Sequence, residues 1–231
     1  MRISKLLLSV ASLSLLVVGA AFAEKQAGLG EYGTLAEPGF CPVGTYKASK
    51  IDANMEISDV LGTIETPAIK FNPQPNVFIT DVVIDLCMDH TWIGDLQITL
   101  KHTSGTGEVK TVDLLNQPGV PETTFGCAGD MICDPENKYY FGSDPSLEPL
   151  GEFDCPDEIP GGCYSVAVEN PGGLEIFRNQ PKGDGFWTLC ITDNVGGDDG
   201  FIHNWSVHLL CDGPISVEDE SFATVKSKYR E

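Results

Sequence analysis

The stretch "GDGFWTLCITDNVGGDDGFIHNWSVHLLC", Gly183–Cys211, carries the clearest pattern in the chain. Trp187, Leu189 and Ile191 alternate with Thr188, Cys190 and Thr192, and Trp205, Val207 and Leu209 repeat the rhythm. A period of two sends alternate side chains to opposite faces of a strand. Two half-buried strands are therefore expected, joined by loop residues 193–200. That loop holds Asp193, Asn194, Asp198 and Asp199 among Gly196, Gly197 and Gly200. Aspartate and asparagine hydrogen-bond their own backbone in tight turns, and glycine tolerates left-handed geometry. The same carboxylates also suit a hard cation such as calcium, which takes six to eight oxygens. Both readings stand at this point.

Upstream, "NVFITDVVIDLCMDHTW", Asn76–Trp92, alternates with Ile84, Leu86 and Met88 on one face. It is rich in the valine and isoleucine that strands favour. "DLQITLKHTSGTGEVKTVDLL", Asp95–Leu115, reads as strand, Ser-Gly-Thr-Gly turn, strand, a hairpin. Residues 118–172 lose the alternation. Between Cys127 and Asn170 lie ten acids and one base, Lys138. So long a stretch is unusual as a plain loop. It reads as a cross-linked acidic excursion on the surface, with "CYSVAVEN" as a candidate strand inside it. No long amphipathic helix and no repeat occur. Many short strands with turns between them imply an all-β sandwich or jelly roll.

The N-terminus is of another kind. Arg2 and Lys5 precede an apolar run from Leu6 to Phe22 that ends in Ala-Phe-Ala. This pattern predicts a secretory signal peptide over residues 1–23. The expected organisation continues with a glycine-rich leader over 24–45, a β-sandwich domain over 46–212 and a polar tail over 213–231. The location implied is extracellular, or periplasmic in a Gram-negative source. Without the signal the chain keeps twelve bases against 34 acids, a net charge of −22. Such a surface disfavours nucleic acid, because phosphate contacts need lysine and arginine. It is repelled by anionic membranes and attracts divalent cations. No second apolar stretch long enough to insert in a membrane follows.

Eight cysteines, Cys41, Cys87, Cys127, Cys133, Cys155, Cys163, Cys190 and Cys211, all lie beyond the signal. An even count in an exported chain implies disulfides, although spacing cannot choose the pairing. Cys127 with Cys133 and Cys155 with Cys163 would close short loops, leaving the other four for longer bridges. No Cys-x-x-Cys occurs, which disfavours zinc.

"HTWIGDLQITL", His90–Leu100, resembles the His-Thr-x-x-Gly-Asp-Leu segment of the P domain, or P/Homo B domain, of proprotein convertases and bacterial subtilisin-like proteases. Trp187, Leu189, Asp193, Asn194, Gly197, Asp198, Gly200, Trp205 and Ser206 resemble its closing pattern. Thr123–Phe125 and "LEIFRNQ", Leu174–Gln180, resemble further landmarks in the family's order. The resemblance spans about residues 50–212. It implies a jelly-roll β-sandwich of the galactose-binding-like kind, here with a long disulfide-linked acidic insertion. It implies a module that packs against a serine-type protease domain and stabilises it. The insertion after Phe125 departs from the family and puts in doubt whatever that segment does there.

No catalytic residue is expected. The chain has no Gly-Thr-Ser serine motif, no Gly-x-Ser-x-Gly elbow and no His-Glu-x-x-His. Of four histidines, His90, His102, His203 and His208, His90 occupies the family's position and is expected to hydrogen-bond within the fold. Candidate calcium ligands are Asp95, Asp193 and Asp198, with Asp199 less favoured; the rival reading gives them turn and strand-capping roles. Asn204-Trp205-Ser206 is a glycosylation sequon made of family residues. Trp92 is a candidate binding anchor, against a core role. The expected partner is a secreted protease or another extracellular protein. The alternative is a carbohydrate-binding or adhesive surface protein.

Overall fold

The computed structural model describes residues 32–35, 44–120, 124–134, 138–151 and 155–212. The expected signal peptide, most of the leader, Cys41 and the C-terminal tail lie outside the described residues.

Among the described residues, ten strands form two sheets that pack face to face. The chain order is β1 Tyr32–Leu35, β2 Gly44–Ser58, β3 Ile64–Glu65, β4 Phe78–His90, β5 Leu96–Thr103, β6 Val109–Asn116, β7 Tyr139–Gly142, β8 Gly162–Ser165, β9 Phe186–Asp193 and β10 Asp199–Asp212. One sheet runs β1-β2-β10-β4-β7-β8 and the other β3-β9-β5-β6. All pairings are antiparallel except β7 with β8. The two helical turns, Ile93–Asp95 and Gly173–Phe177, are short 3-10 pieces.

The alternation read from the sequence builds the core. Val82, Ile84, Leu86 and Met88 of β4 and Trp205, Val207 and Leu209 of β10 point inward with no exposed surface. Leu189 and Ile191 of β9 and Leu96, Ile98 and Leu100 of β5 meet them from the other sheet. Removing so much apolar area from water is the main force closing the sandwich. The β5–β6 hairpin forms where its turn chemistry lies, with Ser104 N–H on the Glu108 carbonyl at 2.8 Å.

Three expectations change. First, residues 194–198 are not a tight turn between neighbouring strands. Strand β9 belongs to one sheet and β10 to the other, so the loop crosses the sandwich. Second, residues 118–172 are not merely a surface excursion. They supply β7 and β8, and Met131, Tyr139, Phe141, Leu150 and Ile159 are core residues. The Tyr139 hydroxyl ties the segment together, donating to the Ile159 carbonyl at 3.1 Å and accepting from Ile132 N–H at 2.9 Å. Strand β8 overlaps the candidate "CYSVAVEN", whereas the acids mask β7 because they sit between short apolar pieces rather than in alternation with them.

Third, the short-loop disulfides do not form. Cys87 pairs with Cys133 and Cys127 with Cys155, with Cα separations of 4.8 and 5.5 Å. Cys163 is also disulfide-bonded. Cys190 and Cys211 carry thiols, contrary to the expectation of longer bridges through them. The reason lies in topology: the excursion folds back along β4, whose Asp85 and Leu86 face Tyr140 and Tyr139 of β7. That brings Cys133 beside β4 rather than beside Cys127.

Peptide mapping without reduction should recover Cys127 linked to Cys155 and Cys87 linked to Cys133. Recovery of a peptide joining Cys127 to Cys133 would contradict this topology.

Candidate functional site

At one end of the sandwich, two loops cross from sheet to sheet side by side. Residues 91–95 lead from β4 to β5, and residues 194–198 lead from β9 to β10. Leu96 is the register partner of Asp193, and Gly200 is that of His90, so both loops are held at both ends. Asn194 fastens them: its backbone N–H and its side-chain Nδ2 both donate to the Asp95 carbonyl, at 2.9 and 3.0 Å. Thr91 Oγ1 adds a bond to Asp198 Oδ1 at 2.8 Å.

Glycine is required at two positions here. A Cβ on Gly94 would lie 2.5 Å from the Cys127 nitrogen and 2.7 Å from the Phe125 carbonyl oxygen. Both are backbone atoms with little room to give. A Cβ on Gly200 would collide with the Asp89 carbonyl and the His90 ring. These contacts place the loop at 125–127 directly on the 91–95 crossover. The Gly94 N–H donates to the Cys127 carbonyl at 2.8 Å, and Trp92 Nε1 donates to the Phe125 carbonyl at 2.6 Å.

The structure brings together the three carboxylates singled out from the sequence. Asp95 and Asp193 are each 4 % exposed, and Asp198 is half-buried at the rim. Burial pushes the Asp95 carboxyl up to about 6, and the neighbouring Asp193 and Asp198 charges push in the same direction. Asp193 Oδ1 accepts from the Val195 N–H at 3.2 Å, while its Oδ2 is buried with no hydrogen-bond partner. Asp199 stands apart, exposed at the head of β10 and paired in register with Ser58.

His90 lies beneath this cluster, 1 % exposed. Its Nδ1 accepts from the Trp92 N–H at 3.1 Å, which assigns the proton of the neutral ring to Nε2. That nitrogen is 3.7 Å from Asp193 Oδ2, beyond hydrogen-bond distance, and has no other partner. Burial lowers the His90 pKa, while the Asp193 charge works to raise it. The expected internal hydrogen bond of His90 is thus made by Nδ1. The other histidines are engaged elsewhere: His102 Nε2 with the Asp184 carbonyl at 2.7 Å, His203 with Asp89 and His208 with Asp85, each at 2.6 Å.

Calcium would be held by Asp95, Asp193 and Asp198, with the buried, unsatisfied Asp193 Oδ2 as the observation in its favour. Among the described residues, no group of three or more His, Cys, Asp or Glu stands in metal-holding geometry. The three side chains converge on one rim without enclosing a coordination sphere. The Asp198 bond to Thr91 and the Asn194 bonds to Asp95 tie the two crossovers to each other.

Trp92 is half-buried and committed to the Phe125 carbonyl, so it is neither a core tryptophan nor a bare surface anchor. Phe125 is the aromatic ring that stands out, 68 % exposed, with Val195 44 % exposed across the rim. Sequence reading treated Phe125 only as a landmark. Its place beside two glycines and a cysteine, away from any alternating run, was the available signal that it is not core.

The Asp95 shift makes the stability of the protein pH-dependent. The carboxyl titrates at an ordinary 3.8 when unfolded and at about 6 when folded. The folded state therefore holds this proton more tightly. The benefit is complete below about pH 4 and is lost as pH rises through about 6. The difference corresponds to about 3 kcal/mol. Asp95→Asn should flatten this step in urea unfolding and be the more stable chain at neutral pH in chelator. An unchanged pH profile would show that Asp95 carries no such strain.

No family model and no curated protein matches the chain. Among solved structures, the complex of Aeromonas sobria serine protease and the chaperone ORF2 has a TM-score of 0.38 and 14% identity, covering 72% of this chain and 26% of that one. The serine protease of Aeromonas sobria has a TM-score of 0.37 and 14% identity, covering 75% and 28%. A structure of infectious bursal disease virus Gt strain has a TM-score of 0.22 and 13% identity, covering 84% and 48%. The chain spans about a quarter of the length of the two Aeromonas chains it is similar to. Likeness this remote carries no argument about activity or partners.

Proposed function

We propose that this chain is a non-catalytic binding module that associates with an extracellular serine-type protease and stabilises it. One observation carries the reading. Of the residues that resemble the P domain, those of the His90–Asp95 segment, the Asp193–Gly200 loop and Phe125 lie far apart in the chain, yet they meet in one contact network. His90, Thr91, Trp92, Gly94 and Asp95 touch Asp193, Asn194, Asp198 and Gly200 on one side and Phe125 on the other. The Leu174–Gln180 landmark forms a separate brace. Phe177 packs edge-on against Trp187 at 4.9 Å, and the Gln180 carbonyl accepts from the Ile79 N–H. A chance coincidence of motif letters has no reason to converge in space in this way.

Calcium is part of the proposal, as a ligand of Asp95, Asp193 and Asp198. The ion would relieve the mutual repulsion of carboxylates already taken from water. The described residues hold the Cys87–Cys133 and Cys127–Cys155 disulfides and no helix long and apolar enough to cross a membrane. The disulfides favour an oxidising compartment, in keeping with export.

Purified chain, immobilised and exposed to its source's culture medium, should retain a serine-type protease and lengthen that protease's half-life at elevated temperature. Retention of no protease, or peptide hydrolysis by the purified chain alone, would defeat the reading. In a separate measurement, calcium should raise the melting temperature of the wild-type chain and leave that of Asp95→Asn nearly unchanged. Equal shifts in both would place the ion elsewhere.

A further inference from the structure

The opposite end of the sandwich, a strand's length from the acidic rim, holds a cavity of about 160 Å³. One wall is the β5–β6 turn and the other is the loop at 179–184. Both walls are set without a ligand. In the turn, Glu108 N–H donates to Ser104 Oγ at 2.9 Å, and Gly105 N–H reaches across to Asp184 Oδ1 at 2.9 Å. In the loop, Asn179 N–H bonds the Ile79 carbonyl at 2.8 Å, and Asn179 takes a left-handed φ of 65° that few residues other than glycine adopt. The floor is His102, 1 % exposed, with its ring centre 4.4 Å from that of Trp187. Its Nε2 is used by the Asp184 carbonyl, and its Nδ1 is buried with no partner.

What the walls leave unspent decides the chemistry. Among the described residues, none bonds the side chains of Glu108, Asn179 or Gln180, of which the first two are exposed to solvent. The Lys110 ammonium makes one, a long one at 3.3 Å to the Ile176 carbonyl. The cavity thus offers a carboxylate, two amides and an ammonium, acceptors and donors together. An anion would face Glu108 and Asp184. A cation would face Lys110. An apolar ligand would strand all four groups. A neutral group whose every hydroxyl both donates and accepts satisfies them together. Below the usual volume of a drug-sized pocket, the space suits one such ring rather than a long ligand.

We infer that this cavity is a binding site for a single neutral sugar ring, the terminal or exposed unit of a glycan. The site is independent of any protease partner and of the acidic rim.

The test is saturation-transfer NMR of the purified chain with a panel of free neutral monosaccharides, including hexoses and N-acetylhexosamines, followed by amide shift mapping. At least one sugar should receive saturation, with shifts centred on residues 102–110 and 179–184. Glu108→Ala and Asn179→Gly sit on exposed turns, and each should weaken that binding about tenfold or more, as expected for loss of a hydrogen bond to a charged or fixed partner. Their melting temperatures serve as the check on folding. Absence of transfer to every sugar overturns the inference. So do shifts confined to another surface, or preference for amino acids or acidic sugars over neutral ones.

Discussion

Two hydrogen bonds from one asparagine to one carbonyl couple the two sheet-to-sheet crossovers at one end of the sandwich. Asn194 gives both its backbone and side-chain N–H to the oxygen of Asp95, and so joins the loop that leaves β4 to the loop that enters β10. Each loop spans the gap between two sheets, a distance of about 10 Å. Each is anchored at both ends by strand pairing, and the Asn194 bonds couple the two. Tied together, they become one body, and the carboxylates of Asp95, Asp193 and Asp198 are carried as a fixed set whatever their mutual repulsion.

That repulsion is substantial. Asp95 and Asp193 are nearly excluded from water, and burial together with the Asp193 and Asp198 charges disfavours ionisation of Asp95. The usual remedy for a buried carboxylate is an opposite charge or several N–H donors. His90 is the nearest basic group, but its own burial favours the neutral ring, and the gap to Asp193 is too long for a bond. The rim is therefore held under electrostatic tension by packing: glycine-thin contacts at Gly94 and Gly200 leave the backbone no space in which to relax. Arrangements of this kind are common where a protein stores strain for use on a ligand.

The alternation in Phe78–His90, Phe186–Asp193 and Asp199–Asp212 was legible because each strand has one wet and one dry face, and period two follows directly from that. The β5–β6 hairpin was legible because serine and glycine mark its turn. Membership of sheets was not legible. Nothing in "DNVGG" tells a five-residue crossover from a five-residue hairpin, since both need the same polar, flexible residues. Tyr139–Gly142 was hidden for a different reason, while Gly162–Ser165 overlaps the candidate strand "CYSVAVEN". Tyr139–Gly142 is only four residues long and lies among prolines and acids whose polarity masks the apolar residues beside them. The disulfides depend on that hidden pairing, so spacing along the chain misled. At the candidate site, Asp95, Asp193 and Asp198 were recognisable as a set, whereas the exposure of Phe125 and the unpartnered nitrogen of His90 exist only in three dimensions.

Strand β10 is the last described strand, yet it occupies an interior position, with β2 on one side and β4 on the other. Its partners on β2 lie well over a hundred residues earlier, as in the pairing of Asp199 with Ser58. During synthesis the larger sheet therefore waits, split into two unjoined halves, until the Trp205 strand emerges. Such high contact order slows folding and leaves strand edges open to wrong neighbours in the meantime. A chain shortened by that single strand would lose the seam of its larger sheet rather than a dispensable margin.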